Sequence, residues 1–240
     1  MMVTLDLEAL DLKDGQRVLD LGCGRGRHSH AFYWHERALD VVMLDLSLED
    51  VKAAVDGFFE LPPPPQDPPR SAVWTVGVAE ALPFADASFD VVICSEVLEH
   101  LPDVDQALSE ITRITKPGGK FACSVPRYWP EAICWALSTG YQNTPGGHVR
   151  IFKDSALRRQ VEGHGFTAYR RHWAHALHAP YWWLRCAKWD RQDDSAMVAA
   201  YRKLLEWDLL EKPRVTRWSE AVLNPLMGKS VALYFDKVEA

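Results

Sequence analysis

The stretch Val18-Leu19-Asp20-Leu21-Gly22-Cys23-Gly24-Arg25-Gly26-Arg27-His28 constrains the fold of this chain more than any other. An apolar run, three alternating glycines and a helix-forming segment follow without a break. That order predicts a buried strand, a tight turn and the start of a helix. Such a turn brings backbone N–H groups and a helix N-terminus beside a small ligand, and glycine lets the main chain approach where a Cβ would clash. The spacing is Gly-x-Gly-x-Gly with an acid, Asp20, two residues ahead. A dinucleotide-binding turn calls for a third Gly or Ala where Arg27 stands, so the pattern suits a nucleoside better than a pyrophosphate.

The same alternation of apolar runs and helical patterns recurs along the first half. Strands are expected near residues 17–21, 40–44, 72–76, 89–94 and 119–125, with helices near 27–37, 48–59 and 104–115. Strands separated by helices imply βαβ units and a mostly parallel sheet, an α/β fold. Lys116-Pro117-Gly118-Gly119 reads as the turn that ends the third helix. Pro62 to Pro65 and Pro68-Pro69 read as a stiff surface spacer. Beyond Pro126, residues 128–149 read as loop-rich and aromatic, 154–163 as a helix and 166–173 as a strand. Residues 174–228 show no clear strand and one helix near 195–210, and 230–238 alternate like a final strand. The length suits a single domain over residues 1–240.

Composition narrows the class. Apolar residues make up 48% and charged residues 25%, ordinary for a soluble globular chain. No apolar run reaches the roughly 18 residues that span a bilayer, and the first fifteen residues lack the apolar core of a signal peptide. Five cysteines, an odd number without C-x-x-C spacing, point to reduced thiols in the cytoplasm and to neither a disulfide framework nor a zinc site. Residues 1–150 carry a formal charge of −10 and residues 151–240 carry +4. An acidic front half makes nucleic acid a poor partner. Nothing in the pattern specifies an oligomeric state.

Several side chains converge on the carboxyl ends of the expected strands, where open α/β sheets bind ligands. Asp45 closes the second strand about 20 residues past the glycine turn, placed to accept ribose hydroxyls. Asp20 is placed either to orient the turn or to hold a cationic group of the ligand. Gly77-Val78-Ala79-Glu80 follows the third strand, and Ser95, Glu96, Glu99 and His100 follow the fourth.

With these segments in order, the chain resembles the class I S-adenosylmethionine-dependent methyltransferases, in the small-molecule group similar to the ubiquinone and menaquinone enzymes. The resemblance rests on residues 18–28, on Asp45, on Glu80-Ala81-Leu82-Pro83-Phe84, on Ser88-Phe89-Asp90, on Leu98-Glu99-His100-Leu101 and on Lys116-Pro117-Gly118-Gly119. It covers residues 15–126 well and 146–173 loosely. It implies a Rossmann-like, doubly wound, seven-stranded sheet with an antiparallel last strand. Residues 15–126 would form the cofactor-binding core, with substrate-capping segments at 127–150 and 174–229. The implied cofactor is S-adenosyl-L-methionine. Gly22, Cys23 and Gly24 would cradle its methionine part, Asp45 and Leu46 the ribose, Ala79 and Glu80 the adenine, and Ser95 would close the pocket beside the sulfonium. Val78 departs from the family pattern, which carries an Asp there to accept from the adenine amino group.

The implied reaction is methyl transfer to a small, hydrophobic or aromatic acceptor. His148, in the glycine-hinged Pro145-Gly146-Gly147-His148, and His100 are the candidate general bases, with Glu96 a weaker one. His175 and His178 stand at i, i+3 without an acid or Cys to complete a set, so no metal is expected. Eight of the ten tryptophans lie beyond residue 125 and read as an aromatic, helical lid over a hydrophobic acceptor. Tyr181-Trp182-Trp183-Leu184, followed by Arg185, Lys188 and Arg191, has the composition of an interfacial helix and suggests peripheral membrane contact. The alternative to an enzyme is a non-catalytic binding module on the same fold.

Overall fold

Inner strands rich in Val, Leu and Ile have no polar face to give to water, so they pair and are covered on both sides. The structure, a computed structural model, describes residues 3–60, 62, 64 and 69–239. Its elements are β1 (Arg17–Leu21), α1 (Arg27–Tyr33), β2 (Asp40–Asp45), α2 (Leu48–Gly57), β3 (Ser71–Val76), β4 (Phe89–Ser95), α3 (Val104–Ile114), β5 (Thr115–Pro126), α4 (Tyr128–Leu137), α5 (Thr139–Gln142), α6 (Asp154–Gly163), β6 (Phe166–Ala174), α7 (His178–Ala187), α8 (Ala196–Glu211), α9 (Arg214–Met227) and β7 (Ser230–Lys237). The described strands form a seven-stranded sheet in the order β3-β2-β1-β4-β5-β7-β6. β1 to β5 pair in parallel, and β7 runs antiparallel to both β5 and β6. This is the Rossmann-like α/β fold with an antiparallel last strand.

Successive side chains of each inner strand serve opposite faces. Leu19 and Leu21 of β1 join Val42, Val92, Phe121 and the α3 residues Leu108 and Ile111 in one core. Val18 joins Val41, Met43, Val91, Ile93 and Phe32 of α1 in the other. Asp20 falls on that second face, toward α1, which decides its role below. Strand order reverses between β2-β1 and β4, and a crevice opens outside the carboxyl ends of the strands at such a switch point.

The structure corrects three expectations. Residues 174–228, read with one helix, hold α7, α8 and α9. The Lys116–Gly119 turn is absorbed into β5 as an irregularity: Phe89 pairs with Thr115, then Val91 with Lys120. Gly118 takes φ +69°, and a Cβ on Gly119 would stand 2.9 Å from the carbonyl oxygens of both Asp90 and Lys116. Residues 128–137, expected as loop, are helix α4. Pro130 lies in its first turn, where an N–H has no helical partner to lose, and Glu131-Ala132-Ile133-Cys134-Trp135-Ala136-Leu137 continues it. The proline spacer lies largely outside the described residues.

Gly119→Ala is expected to lower stability by about 1–3 kcal/mol, because backbone must move to admit the methyl group. Urea denaturation monitored by circular dichroism measures it, and an unchanged midpoint would refute the close packing of this bulge.

Candidate active site

The glycine turn is built by hydrogen bonds that run back into the sheet. Gly22 N and Cys23 N both donate to Leu44 O, at 2.7 and 3.0 Å, and Gly26 N donates to Cys23 O at 2.9 Å. Gly24 N donates to Asp45 Oδ2 at 2.8 Å. These amides are therefore engaged within the protein. The expectation that they grip a ligand is corrected: the turn offers a ligand its Cα surface. Gly22, Gly24 and Gly26 all have positive φ, the region where a Cβ is strained. A Cβ on Gly22 would collide with Val97 Cγ2 at 2.2 Å, whereas one on Gly24 would meet nothing within 4 Å and would project into open space.

Asp45 ties two turns together. One carboxylate oxygen accepts from Gly24 N, and the other accepts from Ser47 N at 2.9 Å. Ser47 itself caps α2, its hydroxyl accepting from Asp50 N. A carboxylate oxygen offers two lone pairs, so each Asp45 oxygen keeps one for a ligand.

Beside this turn lies a cavity of about 590 Å³. Its wall includes Gly22, Gly24, Asp45, Leu46, Val78, Ala79, Glu80, Glu96, Val97 and His100. All of these lie at or just beyond the carboxyl ends of β1 to β4. Leu46, an apolar residue of the wall, is 72% exposed. Glu80 Oε1 is buried without a hydrogen-bond partner among the described residues. Asp45, Asp50, Glu80 and Glu96 supply four carboxylates to the wall, which among the described residues has no Lys or Arg. Glu96 holds φ +58°, a strained conformation of the kind that concentrates at ligand sites.

Asp20, Cys23 and Ser95 lie behind the cavity wall. Asp20 is 1% exposed. Its carboxylate accepts the Ser29 hydroxyl at 2.6 Å and the Ser29 backbone N–H. Gly26, the N-cap of α1, has no side chain to cap that helix, so Asp20 does so from β1. Cys23 is buried, and burial pushes its thiol well above the usual range. Ser95 turns to its register partner across β4 and β5, its hydroxyl 2.8 Å from that of Ser124. The wall at that point is Glu96 and Val97.

The two histidines come together on a buried carboxylate, although far apart in sequence. The His100 and His148 rings are 4.9 Å apart. Glu99 Oε1 lies 3.9 Å from His100 Nε2 and 4.0 Å from His148 Nε2. His148 Nδ1 is 2.7 Å from Glu131 Oε1, and His100 Nδ1 is 3.1 Å from Gly147 O. Glu131 also accepts from Tyr141 Oη at 2.8 Å and pairs with Lys229 Nζ. Burial would raise its pKa, but the His148 hydrogen bond and the Lys229 charge pull it down to about 2. For Glu99 the Lys229 charge is outweighed: burial, then the nearby Glu96 charge, push its carboxyl well above the usual range. Sequence reasoning passed over Glu131 and Lys229, each a single charged residue without a motif.

Trp129, Trp182, Trp183 and Trp189 pack against aromatic neighbours, and among the described residues no tryptophan lines the cavity. Trp183 Nε1 donates to Pro130 O at 3.0 Å, which fastens α7 to α4. The Arg185 guanidinium lies over Trp182 at 4.8 Å. The aromatic-basic stretch of α7 is thus spent on packing, and the outward apolar residues, Leu210, Val215, Trp218 and Leu226, belong to α8 and α9. His175 Nε2 bonds Thr4 Oγ1 at 3.1 Å. Among the described residues no helix is long and apolar enough to cross a membrane.

Burial, the largest cause, raises Asp20 from 3.8 to about 6 despite the opposing Ser29 bonds. Folding therefore favours its protonated form. Its contribution to stability is complete below about pH 4 and is lost as pH climbs through 6. Asp20→Asn should flatten the stability profile between pH 4 and 6.5, removing a slope worth about 3 kcal/mol across that window. Urea titrations at several pH values measure it; parallel profiles for the two proteins would refute the buried capping role.

Residues 4–170 match the methyltransferase domain family. A demethylmenaquinone methyltransferase of Renibacterium salmoninarum is 40% identical over 116 residues, 48% of this chain and 44% of that protein. The ubiquinone/menaquinone biosynthesis C-methyltransferase UbiE of Rubrivivax gelatinosus is 35% identical over 166 residues, 64% of this chain and 60% of that protein. The chain thus spans about half the length of these curated relatives. The crystal structure of YcgJ from Bacillus subtilis superposes with a TM-score of 0.62 at 21% identity, covering 98% of this chain and 97% of the other, which shows a shared fold. With most of its length inside the family match, the chain belongs to the methyltransferase domain family.

Proposed function

We propose that this chain binds S-adenosylmethionine in the cavity beside the glycine turn and transfers its methyl group to a small, hydrophobic or aromatic acceptor. The observation that carries this reading is the charge of the wall. Four carboxylates and, among the described residues, no Lys or Arg favour a ligand that bears an ammonium and a sulfonium, and disfavour a pyrophosphate. The residues fit such a ligand in other respects. Asp45 keeps lone pairs for two ribose hydroxyls. Leu46 offers an apolar cover. The bare Glu80 Oε1 supplies an acceptor near the adenine end, where Val78 has none. Gly24 leaves the space a methionine chain requires.

The cofactor, when bound, supplies an electrophilic methyl carbon. The remaining work is the protein's: alignment, exclusion of water and removal of a proton from the acceptor. Alignment alone is worth roughly 7–11 kcal/mol. Val97, Leu101 and Pro102 give the cavity its apolar side. His100 lines the cavity and His148 stands beside it, the rings 4.9 Å apart and each tied through Nδ1, and they are the candidate bases at the acceptor end. The capping role falls to residues 127–150, which carry Glu131, Tyr141 and His148, while α7 supports them from behind. The apolar faces of α8 and α9 are where the chain would approach a lipid-borne acceptor, in keeping with the quinone substrates named for its relatives.

Isothermal calorimetry with S-adenosylmethionine tests the binding half. Asp45→Ala should weaken affinity at least ten-fold through loss of charge-assisted hydrogen bonds. Gly24→Val should abolish binding. No heat and no thermal shift with the unaltered protein would sink the proposal and favour a non-catalytic module. With tritiated cofactor and a panel of quinols and phenols, His148→Ala should lower transfer about 10²-fold or more while cofactor affinity stays within about two-fold. Full turnover in that variant would remove His148 from the reaction.

A further inference from the structure

We infer that Glu99, His100 and His148 form a binding site for a divalent metal ion at the acceptor end of the cavity. One ligand atom from each lies within 4.8 Å of the others. The 3.9 and 4.0 Å separations from Glu99 Oε1 to the two Nε2 atoms are too long for direct hydrogen bonds. Ligand bonds of about 2.0–2.2 Å require donors roughly 3.0–3.5 Å apart. Small side-chain rotations would close the set on an ion.

Two independent observations support the site. Glu99 is 1% exposed, and neither carboxylate oxygen has a hydrogen-bond partner among the described residues. A bare buried carboxylate is costly, and pairing with a cation is one way such a group is compensated. The histidines, moreover, are arranged as ligands. Gly147 O can only accept, so His100 Nδ1 donates to it. Glu131 is held as a carboxylate by Lys229, so His148 Nδ1 donates to it. In its neutral form each ring then presents a bare Nε2 toward Glu99. Ligating imidazoles are oriented in this way, with the far nitrogen bonded to a carbonyl or carboxylate.

Two imidazoles and one carboxylate suit Mn²⁺, Fe²⁺, Co²⁺ or Zn²⁺ better than Ca²⁺. Three protein ligands leave positions open to water or to an acceptor oxygen, and His100 places them at the cavity wall. An acceptor hydroxyl in such a position gives up its proton to solvent near neutral pH and becomes the nucleophile. That use of the ion rests on the methyl-transfer reading; its binding does not. No metal was expected because His175 and His178 lack an acid or Cys nearby; here the third ligand, His148, lies on a loop distant in sequence from Glu99 and His100.

Tag-free protein stripped with chelator and titrated with Co²⁺ tests the inference, read by visible absorption and calorimetry. One equivalent per chain with ligand-field bands is expected. Glu99→Gln and His148→Ala should weaken binding at least ten-fold, and Glu131→Gln about ten-fold. His178→Ala, elsewhere in the fold, should bind as the unaltered protein does. Should Glu99→Gln fail to fold by circular dichroism, His100→Ala, whose side chain is 37% exposed, serves in its place. No saturable Co²⁺ binding, or equal binding by all variants, would overturn the site. Cofactor titrations run in parallel separate the two claims. Cofactor bound without Co²⁺ overturns only the ion site, and Co²⁺ bound without cofactor overturns only the methyl-transfer reading.

Discussion

The Glu131 carboxylate is the fixed point that ties α4, α5, the loop before Val149 and the start of β7 together. It is fully buried on α4, where an unpaired charge would cost several kcal/mol. Its partners arrive from three separate places: Tyr141 on α5, His148 on the glycine-hinged loop, and Lys229 one residue before β7. Each is anchored elsewhere too, Lys229 O accepting from Arg127 N, Gly147 O facing His100 Nδ1 and Ser138 capping α5, and Glu131 joins the three. The loop from 143 to 149 has neither helix nor strand, yet its histidine is aimed because one nitrogen is already committed. Tyr141 is held as a neutral donor, since burial and the adjacent Glu131 charge push its hydroxyl far above the usual range.

The cofactor half depends on a different carboxylate with the same logic. Asp45 stitches the end of β2 to the first glycine turn, and Leu44 O takes two amides from that turn. The turn is thus rigid before any ligand arrives, which reduces the ordering that binding must cost. Rigidity and negative charge at one rim fit a compact cationic ligand.

Much of this was legible in the residues because period and spacing are local. The bounds of β1 follow from Arg17-Val18-Leu19-Asp20-Leu21, and those of β4 from an apolar run bracketed by Ser88 and Glu96. Asp45 was legible from its distance to the turn. Direction and partnership were harder. Ser95 and Cys23 lie in the right segments, but one turns to Ser124 and the other is buried in the core. Alternation could have shown that Asp20 faces α1. Helix α4 was obscured by its aromatics and by Pro130. The Glu99, His100 and His148 cluster, with Glu131 and Lys229 behind it, joins residues that only tertiary packing brings together, so no window of sequence contains it.

The position of β7 has a consequence for how the chain is made. It is synthesised after β6 and after three helices, yet it is inserted between β5 and β6. Residues 166–174 have no partner on the sheet until residues 230–237 leave the ribosome, at roughly 5–20 residues per second. Lys229, which neutralises the buried Glu131, emerges at the same moment. The nucleoside-facing half can therefore consolidate early, while the half that presents the two imidazoles waits for the last strand, and a nascent chain stalled before that point would display an unfinished edge.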